Sequence, residues 1–500
     1  MLTEDRIRLR FSGFIIFTSR LLSIATGLAF QLMITRSVTA QEYGVWFNIS
    51  DVAAYFTVLA GVFPFWALRF AARAKKGAVK TCFAANLAIG LAATIFYVVS
   101  ASFITSALGV GREYVFLYFL ASAQIAEVYI LNVFESCLQA KTPHVLGYGL
   151  LVGEVCKIAL GYLLIIRCGL SLFGVLVSLI LGIFVQLVYY SWLLLKDLRE
   201  SVVWAYVREW LKGSLANIYN VIGNQIAAFI FIMLFAYGGE AARGNYGAAY
   251  QIAIIITYAS YLAFALYPKL LAERKSQDIT ITLKMVLMFA IPMTAGVLAI
   301  PKSYLAMLNV EYVAAWPVLM VLAIDAFTLT LSSTFSFALY GLERMDEKAQ
   351  ISLRELVRSK LFLAFTLPYV HSAIALPTAY YILTVYTQNQ PIPSALSVAV
   401  INSLTRFAMF LILFKIVNGM TEIKIPWRDI TKYVSASALM AFVLHSIMPQ
   451  PTRLSLTLGI TALGAIIYLT TLAVIDVEAR SLVKSIFQKI RRGYVKQAQA

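Results

Sequence analysis

The sequence predicts an all-α protein that crosses a membrane many times, and three observations predict it. Of the 500 residues, 61% are hydrophobic and 13% are charged, whereas about a quarter of the residues in an ordinary soluble domain are charged. The apolar residues form runs of about 20, the length of helix that crosses the hydrocarbon core of a bilayer. The basic residues collect in alternate connections between these runs. The expected fold class is therefore an all-α polytopic membrane protein with about fourteen transmembrane helices.

The apolar runs define the predicted spans in chain order, and twelve spans is the alternative count. The first run is too long for the apolar segment of a signal peptide, and no small-residue cleavage site follows it, so we expect it to be retained. The spans lie at 11–35, 45–68, 81–107, 114–140, 145–166, 170–195, 213–237, 245–271, 283–305, 314–341, 361–386, 393–417, 433–449 and 454–475.

Lysine and arginine are divided unequally between the two sides of this topology. With the N-terminus inside, 32 of the 41 basic residues fall in the inner segments or the tails. Positive charge marks the cytoplasmic side, so both termini are predicted to be cytoplasmic, and we expect the plasma membrane. The net charge of +17 is then a topology signal with a secondary attraction to anionic lipid, and nucleic acid is not an expected partner. The outer segments keep only Arg36, Arg112, Arg167, Arg243, Lys302 and Arg453.

The first outer connection, "RSVTAQEYGVWF", has the chemistry of a tight corner between two helices. Thr39 and Glu42 have the spacing of a capping box, and Val38 and Tyr43 that of a hydrophobic staple. One helix is predicted to end near Thr35, and the next to begin at about residue 40.

The sequence lacks the motifs of most enzyme classes. Three histidines are present without an HExxH pattern, and no P-loop or GxGxxG motif occurs. Because the outer connections are also too short for a large catalytic loop, we expect no metal, no cofactor and no enzymatic activity. The four cysteines lack CxxC spacing and are predicted to be small core residues: Cys82, Cys137, Cys156 and Cys168.

The sequence also contains an internal repeat. "QEYGVWFNISDVAAYF" from residue 41 matches "RGNYGAAYQIAIIITY" from residue 243, with the dipeptide Tyr43-Gly44 opposite Tyr246-Gly247. We predict two six-helix bundles followed by an added pair of helices. Parallel repeats of this kind commonly hold a transporter's substrate at their interface. The predicted boundaries are 1–200, 201–420 and, for the helix pair with its basic cytoplasmic tail, 421–500.

Three segments carry a resemblance to a known family: "ITRSVTAQEYGVWF", "RFAARAKKG" and "CLQAKTPHVLGYG". They resemble the polysaccharide flippases of the multidrug/oligosaccharidyl-lipid/polysaccharide exporter superfamily. The resemblance implies two bundles in a V that alternates its opening, and a lipid-linked oligosaccharide as substrate. It also implies association with glycan polymerases or glycosyltransferases. The added helix pair fits lipid II-type and some polysaccharide flippases, whereas drug exporters usually have twelve helices.

Charged residues inside the spans are the first candidates for function, because a charge at mid-bilayer costs about 2.5–3.5 kcal/mol on insertion scales. The alternative for each is a structural salt bridge or hydrogen bond between helices. Glu154 and Lys157, three residues apart, are placed to neutralise each other. The candidates are Arg20, Asp51, Glu127, Glu154, Lys157, Asp325 and Arg406.

Two polar stripes add to this set. Gln124, Glu127, Glu135 and Gln139 recur near helical spacing in the fourth span, and Asn217, Asn220 and Asn224 share one face of the seventh. Amides facing lipid would lose their hydrogen bonds. The stripes must therefore face another helix or water, and we favour a hydrated cavity.

These residues suggest a mechanism. Arg20, Arg406 and Lys157 would bind the phosphate of an isoprenoid phosphate or diphosphate. Arg20 and Arg406 are expected to point into a common cavity without compensating anions. Contacts to the sugar would come from Glu127, Asn217, Asn220 and Asn224, and coupling to H⁺ or Na⁺ from Asp325, Asp51 or Glu127.

Two alternatives to the flippase remain open from the sequence. A drug or metabolite antiporter of the same superfamily would need a cavity dominated by carboxylates. In a non-transporting membrane scaffold, or a ligase-type glycan enzyme, the buried charges would be purely structural. We further expect the last two spans to pack on the outside of one bundle, where their apolar surface would guide a lipid tail.

Overall fold

The structure is a computed structural model that describes residues 9–263, 266, 270, 276–342, 359–447, 452–476 and 480. All regular elements within these residues are helical. The predicted fold class, an all-α polytopic membrane protein, is confirmed.

The α-helices of the described residues follow one another with short connections. In chain order they are α1 (Leu9–Ser37), α2 (Ala40–Thr57), α3 (Val62–Ala72), α4 (Ala78–Ala107), α5 (Val115–Lys141), α6 (His144–Gly161), α7 (Ser171–Leu193), α8 (Leu195–Leu198), α9 (Trp204–Gly213), α10 (Leu215–Gly238), α11 (Glu240–Ala253), α12 (Ser276–Ala299), α13 (Pro301–Leu308), α14 (Trp316–Leu342), α15 (Lys360–Val385), α16 (Pro391–Asn418), α17 (Trp427–Ser446) and α18 (Leu454–Ile475).

The helices coincide with the predicted spans. Among the described residues, ten helices are long and apolar enough to cross a membrane. The pair α2 and α3, bent by 61° at its break, is either one broken span or a re-entrant loop. The remaining predicted spans coincide with α1, with α11 and its continuation, and with α17. The total of fourteen stays a prediction.

The corner between α1 and α2 has the predicted capping box. The amide of Glu42 donates to Thr39 Oγ1 at 3.2 Å, and the amide of Thr39 donates to Glu42 Oε2 at 2.9 Å. The second carboxylate oxygen of Glu42 accepts a hydrogen bond from Ser171 at 2.7 Å. The same side chain therefore caps α2 and ties it to the start of α7.

The described residues form two compact units. The first unit draws them from Met1–Gly247 and Phe365–Val398, and the second from Ala248–Gln350, Ser359–Ala364 and Ala399–Ala500. In the core of the first unit, Cys82 and Cys137 are fully buried among apolar side chains, as predicted. Cys156 is half-buried and Cys168 is exposed, so the prediction of core residues was wrong for these two. The division into two six-helix halves and a helix pair stays a prediction.

The α-helical geometry is interrupted in α2–α3 and after α11. The first helix pair breaks between Thr57 and Val62, and α11 passes into a 3₁₀-helix at Ile254–Ala263. Runs of 3₁₀-helix longer than three or four residues are uncommon, and in the middle of a helix they often mark a hinge. The first interruption bends the chain by 61°, and the second replaces α-helix by 3₁₀-helix over ten residues.

The added pair, α17 and α18, packs on α12 and α13 within the second unit. The Tyr468 hydroxyl donates to the carbonyl of Met288 at 2.6 Å, and a ring nitrogen of His445 lies 3.1 Å from the carbonyl of Ala299. These side-chain contacts to backbone carbonyls fix the pair to the second unit.

Candidate functional site

Glu154 and Lys157 form an ion pair, as the structural alternative predicted. Lys157 Nζ lies 2.6 Å from Glu154 Oε1, and Thr26 donates to the other carboxylate oxygen at 2.7 Å. The ammonium group also lies 5.3 Å from the centre of the Phe30 ring. The pair joins α6 to α1, and both charged side chains stay about 15% exposed.

Asp51 is paired with Arg243, a partner that the sequence analysis missed. Arg243 Nε and Nη2 donate to the two carboxylate oxygens at 2.7 and 3.0 Å. The guanidinium carbon lies 4.4 Å from the centre of the Phe47 ring and 5.0 Å from that of Phe231. The sequence analysis placed Arg243 in the connection before the eighth span, whereas it lies inside α11 with only 5% of its side chain exposed.

A close crossing of α2 and α11 lies beside this ion pair. A methyl group at Gly44 would overlap the carbonyl oxygen of Glu240, and one at Gly244 would overlap that of Ala40. Because the two contacts are reciprocal, Gly44 and Gly244 occupy equivalent positions, 200 residues apart. The sequence match opposed Gly44 to Gly247, which instead contacts Phe47.

Arg406 is paired with Asp325 in the second unit. Its Nη1 contacts Asp325 Oδ2, so the expectation of an arginine without a compensating anion was wrong. Asp325 is 5% exposed, whereas the Arg406 side chain is 27% exposed. Among the described residues, no other hydrogen bond to the guanidinium group is present. Arg406 therefore keeps donors free for a ligand, and Asp325 is already neutralised.

Glu127 differs from the other carboxylates singled out by sequence. It is 8% exposed on α5, and it makes no hydrogen bond or ion pair with any side chain that the structure describes. A buried carboxyl group without a cationic partner is a candidate for binding a proton or a small cation. Arg20 lies on α1, but its side chain is outside the described residues, so its role stays a prediction.

The three asparagines lie along the predicted face of α10. Asn224 donates to the carbonyl of Asn220 at 2.8 Å and is itself exposed, while Asn217 is half-buried. Beside them the rings of Tyr219 and Tyr369 stack 4.5 Å apart, which closes the neighbouring face of α10 against α15. An exposed amide at this depth is costly in hydrocarbon, so the geometry favours water on the asparagine face.

The polar stripe on α5 is partly used for packing. Glu135 accepts a hydrogen bond from Gln186 on α7 at 3.3 Å. This carboxylate therefore serves contact between helices, which is the alternative that the sequence left open.

An apolar cavity of about 210 Å³ lies where the added helix pair meets α12 and α13. The Tyr304 hydroxyl lies 3.0 Å from the Thr461 hydroxyl, and Tyr468 donates to a backbone carbonyl. Because these hydroxyls are satisfied, the cavity presents hydrocarbon surface. Sequence predicted an apolar surface here, but not this cavity, whose walls include Phe289, Pro292, Met293, Gly296, Met440 and Leu444.

No protein-family profile and no curated protein sequence matches this chain. Solved structures do. "Lipid II flippase MurJ, inward closed conformation" aligns with 94% of this chain and 100% of its own, at a TM-score of 0.68 and 14% identity. An inward-facing multidrug resistance MATE family transporter of the MOP (multidrug/oligosaccharidyl-lipid/polysaccharide) superfamily aligns with 79% of this chain and 94% of its own. Its TM-score is 0.58 and its sequence identity is 16%. The chain has the fold of the MOP exporter superfamily.

A MOP superfamily transporter from Pyrococcus furiosus is a third neighbour, with a TM-score of 0.51 and 17% identity over 83% of this chain and 95% of its own. The fold that the three sequence segments implied is thus confirmed, and the arrangement of two bundles in a V stays a prediction. At this level of identity the likeness concerns the fold, and the function has to be argued from the side chains.

Proposed function

We propose that the protein is a flippase, which moves an oligosaccharide linked to an isoprenoid phosphate or diphosphate across the plasma membrane by alternating access. The observation that carries this proposal is the apolar cavity built by α12, α13, α17 and α18. A substrate with a long hydrocarbon tail can fill a site that is lined almost entirely by apolar side chains.

The size of the cavity fits part of such a tail. Drug-sized ligands occupy pockets of about 300–1,000 Å³, and this cavity offers about 210 Å³. That volume accommodates a segment of a branched hydrocarbon chain, with the rest of the tail left in the bilayer. The proposal is that the cavity retains the tail while the head group crosses.

The polar head requires different chemistry. The phosphate would be bound by the free donors of Arg406, together with Arg20 and Lys157, since arginine binds phosphate oxygens through paired hydrogen bonds. The exposed amides of α10 would contact sugar hydroxyls. Both kinds of residue lie at depths where packing alone would favour apolar side chains.

The fold comparison supports a transporter. The flippase named for lipid II aligns with 94% of this chain, and the MATE transporter with 79%. The structure named for a lipid substrate therefore accounts for more of the chain.

Coupling to a cation is the part of the proposal that Glu127 supports. Asp51 and Asp325 each contact an arginine, so we place Glu127 ahead of them as the H⁺ or Na⁺ site. The same residue is the observation in favour of the second candidate function, a cation-coupled antiporter for drugs or metabolites.

A transport assay tests the proposal against the antiporter. The protein is reconstituted in liposomes with a fluorescent isoprenoid-diphosphate oligosaccharide, and an impermeant quencher reports which leaflet holds the label. We expect wild type to equilibrate the label between leaflets. Gly296→Leu, which fills the apolar cavity, should slow this at least tenfold.

The matched control is Gly459→Leu on α18, because no atom lies within 4 Å of the position where its side chain would begin. Its flipping rate should stay within twofold of the wild-type rate. No flipping by wild type, or equal rates for Gly296→Leu and the control, would overturn the proposal. Cation-driven uptake of an organic cation without flipping would favour the antiporter.

A further inference from the structure

The short helix α9 lies on the surface of the first unit and is strongly amphipathic. Its inner face is fixed by Trp210, which is fully buried and packs against Phe63 and Phe70 at ring-centre distances of 6.1 and 5.4 Å. At the end of the helix, the indole N–H of Trp66 donates to Ser214 at 2.8 Å. The outer face of α9 is therefore held in a fixed orientation.

The connection between α3 and α4 is joined to the segment that leads into α9. The amide of Gly77 donates to the Glu200 carboxylate, and the amide of Val203 donates to Thr81 Oγ1 at 2.8 Å. Gly77 has φ +77°, and a Cβ atom there would lie 2.5 Å from the Ser201 carbonyl oxygen. The two connections thus form one preformed surface, which we name the α9 surface.

The α9 surface carries a large excess of positive charge. Its seven cations are all exposed, and none has an anionic partner among the described residues. Of the nearby carboxylates, Asp197 is paired with Lys141, and Glu200 accepts from the backbone. Glu209 is the remaining carboxylate near this surface, and it is exposed. The cations are Arg73, Lys75, Lys76, Lys196, Arg199, Arg208 and Lys212.

Large apolar side chains lie between these cations. Trp204 is 63% exposed and Leu211 is 48% exposed. Arg208 lies four residues after the tryptophan and three before the leucine, so all three share one side of the helix. Tryptophan and leucine beside arginine and lysine are the pattern of a helix that lies in the headgroup region of a membrane.

We propose that the α9 surface binds the headgroups of anionic phospholipids. The guanidinium and ammonium groups would hold the lipid phosphates, while Trp204 and Leu211 insert beside the acyl chains. An acidic protein segment would be attracted by the same charge, but it would leave these two apolar side chains exposed. The charge distribution places this surface on the predicted cytoplasmic side, where the leaflet is anionic. The proposal does not depend on the transported substrate.

Native mass spectrometry of the full-length protein in detergent tests this directly. Phosphatidylglycerol and phosphatidylcholine are titrated separately, and the Kd for the first bound lipid is measured. We expect phosphatidylglycerol to bind more tightly than phosphatidylcholine. Because Arg208→Gln with Lys212→Gln removes two charge-assisted donors to the lipid phosphate, it should weaken phosphatidylglycerol binding by at least about fivefold.

The control removes the same charge elsewhere: Lys415→Gln with Lys424→Gln, two exposed cations of the second unit. It should keep phosphatidylglycerol binding within about threefold of wild type. Equal affinity for both lipids, or equal weakening in the two double variants, would overturn the proposal. Displacement of the lipid by soluble polyglutamate at equal charge concentration would instead assign the surface to an acidic protein partner.

Discussion

Two aspartate–arginine pairs of this protein have the same chemistry and different surroundings. Asp51 holds Arg243 through two hydrogen bonds, against aromatic rings, with 5% of the arginine side chain exposed. Asp325 contacts Arg406 through one guanidinium nitrogen, and 27% of that arginine side chain is exposed. Sequence alone ranked Arg406 as functional and did not single out Arg243 as an intramembrane charge.

The difference shows which arginine has guanidinium N–H groups that a ligand can reach. The bidentate pair keeps the remaining donor of Arg243, Nη1, buried away from solvent, and removal of either partner leaves a buried charge. A pair with one shared contact and an exposed guanidinium group has donors left for an anion. We therefore propose that the Asp51–Arg243 pair is structural and that Arg406 binds the ligand.

The largest expected effect comes from the same substitution at both aspartates. Asp51→Asn leaves Arg243 buried without a counter-charge, which costs about 3–5 kcal/mol. Asp325→Asn leaves a partly exposed arginine and should cost clearly less. Thermal unfolding of both variants in detergent measures the difference.

A control restores the first site without charge. Asp51→Leu with Arg243→Met should recover most of the lost stability, since apolar residues of similar volume often replace a buried pair without cost. A melting temperature for Asp51→Asn equal to that of Asp325→Asn would remove the distinction between the two pairs.

The glycine crossing beside the first pair gives the next effect. Gly244→Ala forces the new methyl group onto the Ala40 carbonyl and should destabilise by about 1–3 kcal/mol, the range for overpacking. Gly27→Ala on α1 is the control, because no atom lies within 4 Å of its added Cβ. If the two alanine variants have the same melting temperature, the helices do not cross as closely as described.

The smallest effect is expected at a third ion cluster, near the start of α17. Asp429 lies 2.8 Å from Lys284 and 3.3 Å from Lys432. Partial burial raises the pKa of Asp429, but the hydrogen bonds and charges of the two lysines outweigh it and lower the pKa below 3.8. Asp429→Asn should cost about 1 kcal/mol at neutral pH, the upper end of the range for surface ion pairs, because the Asp429 side chain is only 14% exposed.

The pH dependence of this effect has a definite sign. Because the folded pKa is lowered, the contribution of Asp429 is complete above pH 3.8 and disappears as the pH falls through the folded value. The melting temperatures of wild type and Asp429→Asn should therefore differ at pH 7 and converge in acid. A constant difference at both pH values would contradict the assignment.

Local signals in the sequence predicted local structure well. The capping box of Thr39 and Glu42 and the pairing of Glu154 with Lys157 both concern residues three apart, and both are present. Apolar runs located the helices for the same reason. Each of these signals is contained within one helix and its ends.

Contacts between distant segments could not be read in this way. Asp51 and Arg243 are 192 residues apart, and no spacing rule links them. The pairing of Gly44 with Gly244 depends on how closely the two helix backbones approach each other. The matching Tyr-Gly dipeptides suggested a different pairing, Gly44 with Gly247. The apolar cavity depends on how four helices leave space between them.

The central claim is that Arg406 binds the anionic head group of a lipid-linked substrate. Its most direct test is equilibrium binding of an isoprenoid diphosphate and of the matching isoprenoid alcohol, to wild type and to Arg406→Gln with Asp325→Asn, a variant that keeps the site neutral. Wild type should bind the diphosphate more tightly than the alcohol. In the double variant the ratio of the two Kd values should fall at least tenfold, while the Kd for the alcohol stays unchanged. An undiminished preference for the diphosphate in the double variant would contradict the account.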